Sequence, residues 1–391
     1  MAVFSFYLAD FPDGGTGTAV LYTADRLIKS GNKVFVYTPR HHQNNYPLDL
    51  HPKVSVVIVP SCAPSAAEHL DFLCQHIKAH NVSSMVIVAM RSFPFAEIRK
   101  RTSCKMVYAL HGRPFYEEHD INLQKQIDSK HSLGMWLSYC FIQHWRYTWF
   151  HRSRQKILPF YHETIKACDR FVVLCNEYAD MIVKELNLSP EDSKKLKVIP
   201  NGIVPKMPPS LEKEKIIVFI GRLTPEDKRP LRLVKIWSYI YKKLPDWRFL
   251  IVGDGPMKSS MEEAIRKYGV ERMELVGFSN NVVDYYQKAS IVSLTSQYEG
   301  WPLCLAEGQT YGVVPIAFNC TAGIRDIINR PGENGILVPP YNCRAYAKRL
   351  LQLASDESQL AFMRTKVIEK SKEYDMARNS KGYQRLLEEL L

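Results

Sequence analysis

Apolar positions along this chain come in short unbroken blocks rather than in strict alternation with polar ones. Runs such as Ile216–Ile220, Phe249–Val252 and Ile291–Leu294 carry almost no polar residue, the pattern of parallel strands buried on both faces. Amphipathic stretches lie between them and read as helices. The richest unit is Ser293–Ala317. A strand ends at Leu294, a polar loop holds Glu299 and Gly300, and Pro302 suits the first turn of a helix that carries Glu307 and stops near Gly312. A second apolar run, Val313–Ala317, completes a crossover unit of the kind that binds ligands at the carboxyl ends of its strands. Glu307 falls about one and a half turns into the helix, and Glu299 sits above the sheet edge. Two carboxylates over a helix N-terminus suit a ligand with both sugar hydroxyls and phosphate.

The same texture runs through both halves. In the first, Val3–Ala9, Lys33–Tyr37, Val54–Val59, Met85–Ala89, Lys105–Leu110, Phe171–Leu174 and Lys197–Ile199 read as strands. A glycine-rich loop, Asp13–Gly17, leads into a helix that runs to about Lys29 and ends at Gly31. In the second half, Glu274–Val276 and Ile336–Val338 are further strands, and Arg229–Lys243, Met257–Tyr268 and Asn280–Lys288 are helices. From Cys343 the chain turns mostly helical. Pro200-Asn201-Gly202, followed by Pro205, Pro208 and Pro209, marks a linker. The expected fold class is α/β, with two doubly wound Rossmann-like domains facing across a cleft. Their bounds are 1–203 and 204–375, with a C-terminal helix, 376–391, free to pack back on the first domain.

Composition agrees and narrows the class. At 391 residues the chain exceeds one ordinary core, and no apolar run reaches the ~18 residues of a membrane span. The first residues, MAVFSFYLADFPDGG, lack a basic n-region and a small-residue cleavage site and are not read as a signal peptide. Nine cysteines without a C-x-x-C pair argue against a disulfide framework and a zinc site and point to the reducing cytoplasm. A formal charge of +12 calls for an anionic partner. Recognition helices, RNP motifs and zinc fingers are not found, so nucleic acid is disfavoured. An anionic membrane surface or a nucleotide-type ligand suits it better. Residues 129–162 hold five Lys/Arg, no Asp or Glu, and nine aromatics including Trp136, Trp145 and Trp149. That stretch reads either as a partly buried helix or as a basic, aromatic face for membrane headgroups.

Four strand ends in the second half should face one way in a parallel sheet. They are Gly221-Arg222 with Lys228, then Gly253-Asp254-Gly255, then Gly277-Phe278, and finally Glu299 to Glu307. Glycines there let backbone N–H groups approach a phosphate. Arg222 and Lys228 add fixed positive charge, although Arg229 rivals Lys228. Four such ends in order are far more specific than any one of them.

These stretches, with IPNG (199–202), VGDGP (252–256), EGWPLCLAE (299–307) and NGILVPP (334–340), resemble the retaining GT-B glycosyltransferases of family four, in particular its bacterial polysaccharide, capsule and lipopolysaccharide members. Two glutamates with seven residues between them are the most specific match, and Gly14-Gly15 and His111-Gly112 resemble the family's N-terminal elements. The resemblance implies a sugar transfer from a nucleotide-sugar, typically a UDP-sugar, to a saccharide acceptor, with retention. It assigns catalytic roles to Arg222 and Lys228 at the leaving diphosphate, to Glu299 at the donor sugar and to His111 at the donor sugar or the reacting centre, and it gives Glu307 to the ribose. Gly14, Gly15, Gly221, Gly253, Phe278, Gly300, Trp301, Pro302 and Leu303 join the donor-binding set, with Trp301 standing where relatives carry Phe. No Asp-x-Asp occurs, so neither metal nor cofactor is expected, with Arg and Lys neutralising the phosphates instead. The acceptor is lipid-linked if 129–162 serves a membrane, which would put the protein on the inner face of that membrane. Rival readings are a hydrolysing sugar-nucleotide 2-epimerase and a non-catalytic sugar-nucleotide-binding protein.

Overall fold

The computed structural model describes residues 2–12, 14–42, 54–60, 63–90, 93–118 and 152–391. The chain divides into two compact units, Met1–Ile199 with Ser380–Leu391, and Pro200–Asn379. The division falls at Ile199 and at Asn379, the second of these inside the last helix, Met376–Glu388.

In the first unit the strands are β1 (Val3–Tyr7), β2 (Asp10–Phe11), β3 (Lys33–Thr38), β4 (Arg40–His41), β5 (Ser55–Ile58), β6 (Ser84–Val88), β7 (Lys105–Ala109), β8 (Arg170–Val173) and β9 (Leu196–Val198). Seven of them form one sheet in the order β5-β3-β1-β6-β7-β8-β9, with every pair parallel. The two-residue pair β2–β4 stands apart. Side chains of β1, β3 and β6 share a buried cluster with Val20, Leu21 and Leu27 of the helix Gly14–Lys29, and Tyr383, Leu386 and Leu387 of the last helix complete it. The helix begins at Gly14, so the expected glycine loop is already its first turn. Gly17 is needed there because a Cβ would stand 3.1 Å from the Pro12 backbone.

Of the basic, aromatic stretch, residues 129–151 lie outside the described residues. Residues 152–162 belong to the helix Arg152–Ala167. There Ile157 and Tyr161 are core, with the Tyr161 hydroxyl donating to Glu117 at 3.2 Å and accepting from the Phe115 N–H. Among the described residues no helix is long and apolar enough to cross a membrane.

The second unit contains β10 (Ile216–Ile220), β11 (Arg248–Val252), β12 (Met273–Gly277), β13 (Ile291–Leu294), β14 (Val314–Phe318) and β15 (Ile336–Val338). They form a parallel sheet in the order β12-β11-β10-β13-β14-β15. Trp237 packs edge-on against Phe249 at 5.8 Å on one face. Tyr346, from the helix Cys343–Ser355, staples β13 to β14: its hydroxyl donates to the Ile316 carbonyl at 2.6 Å and contacts Ser293 Oγ at 2.8 Å. The expected helix Arg229–Lys243 is shorter, Leu231–Ser238, followed by a 3-10 turn at Tyr241–Lys243. Arg229 itself has φ +49° and cannot continue a right-handed helix.

Candidate active site

Strand order in the second sheet reverses direction between β10 and β13. Loops leaving those two strands diverge to opposite faces, which opens a crevice at their carboxyl ends. Arg222 and Lys228 come from the loop after β10, and Glu299 from the loop after β13. All three therefore stand at the switch point.

The loop after β10 is locked to the loop after β11. Leu223 N–H donates to the Asp254 carbonyl at 2.8 Å and Met257 N–H to the Leu223 carbonyl at 3.0 Å. Such close approach requires glycine: a Cβ on Gly253 would lie 1.9 Å from the Gly221 carbonyl oxygen. This corrects the expected role of these glycines. Gly221 N–H donates to Val252, Gly253 N–H to Gly277 and Gly255 N–H to Asp254 Oδ1. Their N–H groups are consumed within the protein, and their work is to zip two loops rather than to cradle a phosphate.

Charge at the site is arranged in two tiers. Lys228 Nζ donates to Glu299 Oε1 at 2.6 Å, with both side chains nearly buried at 15% and 10% exposure. Ser296 Oγ donates to the same oxygen at 2.6 Å. Burial alone would depress the Lys228 pKa, but the Glu299 carboxylate outweighs it and, with Asp227, holds the ammonium above its ordinary value. Asp227 also accepts the Lys228 backbone N–H at 2.9 Å and the Thr224 hydroxyl. Arg222 is the outer tier: it is 80% exposed, and Asp227 lies 4.0 Å from it. Arg229 is exposed with its backbone in the left-handed region, so Lys228, not Arg229, is the inner cation.

The loop carrying Glu299 is fixed from several sides. Gln297 N–H donates to the Asp227 carbonyl at 2.6 Å, Arg232 donates to the Thr295 carbonyl at 3.0 Å and to Gln297 Oε1, and Tyr341 donates to the Gln297 carbonyl at 2.7 Å. Gly300 approaches Gly323 so closely that a Cβ on the latter would sit 1.8 Å from the Gly300 oxygen. Trp301 does not line open space. It is 4% exposed, its indole N–H donates to Asp326 at 2.9 Å, and its ring meets Tyr374 edge-on at 5.3 Å. The side chain expected in the donor-binding set instead anchors the loop from beneath. Pro302 caps the helix with extended backbone (φ −70°, ψ 103°) and Leu303 is the first helical residue, one position later than expected.

Glu307 lies half-buried in the helix Leu303–Thr310. The Tyr286 hydroxyl reaches its Oε2 at 3.0 Å. Burial pushes its pKa up, against the opposing effects of that hydrogen bond and of Lys206. Cys304, between the two glutamates in sequence, is pushed up to about 12, chiefly by burial. Phe278, just past β12, is 74% exposed and offers a flat apolar face at the same sheet edge.

Gly14, Gly15 and His111 belong to the first unit. The glycines open the helix after β1, and His111 follows β7 on the same edge of its sheet. Asp227, Ser296, Arg232 and Tyr286 were not singled out in the sequence. Asp227 alone had a signal there, as an acid next to Lys228; Tyr286 and Arg232 are recruited across 21 and 65 positions of chain separation, and Ser296 looks like any loop serine.

The chain resembles known proteins both in sequence and in fold. The family described as Glycosyltransferase Family 4 matches residues 13–207, and Glycosyl transferases group 1 matches residues 205–374. The amylovoran biosynthesis glycosyltransferase AmsD of Erwinia amylovora is 35% identical over 146 residues, 37% of this chain and 40% of that protein. The UDP-Gal:alpha-D-GlcNAc-diphosphoundecaprenol alpha-1,3-galactosyltransferase of Escherichia coli is 27% identical over 215 residues, 49% of this chain and 53% of that one. The chain thus spans about half the length of the curated relatives it matches. Anabaena HepE, solved in complex with UDP, superposes with a TM-score of 0.72 at 14% identity over 100% of both chains. With the two family matches meeting near residue 205 and the two-sheet fold shared throughout, the chain belongs to the GT-B glycosyltransferases of the family-four type.

Proposed function

We propose that this protein moves a sugar from a nucleotide-sugar, a UDP-sugar, to a hydroxyl of a lipid-linked saccharide in surface polysaccharide synthesis, with retention and without a divalent metal. The observation that carries this reading is the buried Lys228–Glu299 pair, with Arg222 outside it, at the sheet's switch point. Departure of a nucleoside diphosphate concentrates negative charge on its phosphates. A lysine kept cationic by its surroundings and an exposed guanidinium answer that charge, and a preorganised charge such as the lysine's lowers the barrier without reorganisation. Glu299 accepts hydrogen bonds from the donor sugar and orients it. Glu307 accepts from the ribose hydroxyls, and Phe278 stacks against the base. The acceptor hydroxyl attacks from the face the diphosphate leaves, and its proton passes to the departing phosphate oxygen.

Two of the similar proteins support the choice of substrates: HepE was solved with UDP, and the E. coli relative acts on a diphosphoundecaprenol-linked sugar. The net charge of +12 suits peripheral attachment to an anionic inner leaflet. A nucleotide-sugar panel scored by thermal shift identifies the donor, since a bound ligand raises apparent stability. Nucleotide release is then followed with and without membrane-extracted acceptor, in EDTA, and the anomeric configuration of the product is read by NMR. Acceptor-dependent release, undiminished by EDTA, with a retained anomeric centre is expected. Release independent of acceptor would sink the transferase reading, and an absolute need for Mg²⁺ or Mn²⁺ would sink the metal-free one.

A further inference from the structure

Tyr286 sits in the helix Val283–Lys288, which precedes β13, and its side chain is fully buried. The hydroxyl lies 3.0 Å from Glu307 Oε2 and 3.1 Å from the Cys304 carbonyl oxygen. Little room is left for it to move. The ring stacks on Tyr311 with centroids 5.9 Å apart and planes within 11°. Tyr311 is itself held by the Lys206 N–H, which donates to its hydroxyl at 2.9 Å. Gly308 lies beside the ring, where an added Cβ would stand in van der Waals contact with Tyr286 Cε1 at 3.6 Å. Among the described residues Glu307 Oε1 has no hydrogen-bond partner.

We infer that Tyr286 is a positioning residue for nucleotide recognition: its hydroxyl pins Oε2 of Glu307 and leaves Oε1 to the ribose hydroxyls. This rests on Glu307 being the ribose anchor. The phenol has one proton and two acceptors within reach, so it serves both states of the acid. An ionised Glu307 receives the phenol proton. A protonated Glu307 donates to the phenol oxygen, which then donates to the Cys304 carbonyl. Ribose selection needs the ionised form, because only a carboxylate with no proton of its own accepts at both oxygens. Tyr286 favours that form, since its hydrogen bond lowers the Glu307 pKa against the effect of burial.

A merely structural tyrosine would affect all nucleotides alike, so the test is a ratio. Affinities of UDP, GDP and ADP are measured beside those of their 2′,3′-dideoxy counterparts for the whole protein, and the base that binds is carried forward. The wild type should prefer the ribo form by on the order of 10- to 100-fold, the usual loss when a hydrogen bond to a charged group is removed. Tyr286→Phe should cut that preference by about fivefold or more, leave dideoxy affinity unchanged, and move the pH midpoint of ribo binding upward. Parallel loss of ribo and dideoxy affinity, or an unchanged ratio, would overturn the inference. Glu307→Gln separates the two readings. If it keeps the full ribo preference, the ribose anchor itself is wrong; if it loses the preference while Tyr286→Phe keeps it, only Tyr286 is misassigned. Should Tyr286→Phe not fold, 3-fluorotyrosine incorporated at position 286 keeps the volume and gives a stronger donor. The pH midpoint should then move down, and an unmoved midpoint would overturn the inference.

Discussion

Both units present a parallel sheet with a reversal of strand order, between β1 and β6 in one and between β10 and β13 in the other. At the first, the named residues are Gly14 and Gly15 in an opening helical turn, with His111 one strand beyond. At the second stand two cations, two carboxylates and the loops that clamp them. Topology supplies a crevice in each case. Among the described residues the second holds its Lys228–Glu299 pair nearly buried, whereas the charged cluster of Asp10 with Arg40 and His42 at the first is partly exposed, and the difference lies in side chains rather than in fold.

Removing the inner cation should break this contrast most severely. Lys228→Ala removes the cation that faces the nearly buried Glu299, so turnover should fall on the order of 10³-fold and stability by about 3 kcal/mol. Steady-state kinetics and urea unfolding measure the two losses. Arg222→Ala, at the exposed outer tier, should lower turnover on the order of 10²-fold while the unfolding midpoint stays where it was. If the two variants lose stability equally, the tiers are not distinct.

Glycine substitutions test how tightly the second edge is built, with an uncrowded glycine at a helix end as the reference. Gly253→Ala drives a methyl into the Gly221 carbonyl and should destabilise by about 3 kcal/mol or more. Gly31→Ala, at φ +85° with nothing within 4 Å, meets only backbone strain of about 1 kcal/mol. Paired denaturation curves give the comparison directly, and similar losses would mean that the zipped loops yield easily.

A subtler effect comes with pH. Burial raises the Glu307 pKa, so nucleotide affinity should weaken on acidification already above the ordinary glutamate value of ~4.3. Stability follows the opposite sense. Between the unfolded and the raised folded pKa the native state binds more protons, so this residue's contribution falls as pH rises through that window. Glu307→Gln should remove that slope in a thermal melt series. Smallest of all, Phe278→Ala should reduce nucleotide affinity by about 1 kcal/mol through lost stacking, as read by calorimetry, without touching turnover at saturation.

Strands were the most legible part of the chain. Ile216–Ile220, Ile291–Leu294 and Ile336–Val338 are found where their apolar runs predicted them, because each run is bounded on both sides by a polar residue, a glycine or a proline. Helix ends were less so. The turn at Arg229 depends on a hydrogen bond from its N–H to the Thr224 carbonyl, which no propensity reveals. Charged site residues could be named because strand ends follow strands. What holds them could not: Trp301 looked like a ligand contact until Asp326 took its indole, and Tyr286 carried no mark in the sequence. Long-range partners decide such roles.

The last helix has a consequence for how the chain is made. Tyr383, Leu386 and Leu387 belong to the cluster that also contains Phe4, Phe6 and Val36. During synthesis the segment 200–379 can emerge and fold while the earlier unit still waits for residues 380–391 to leave the ribosome. The unit translated first is thus the last to close. A fragment ending near residue 203 would expose an unfilled apolar face, whereas 200–379 has all of its own sheet.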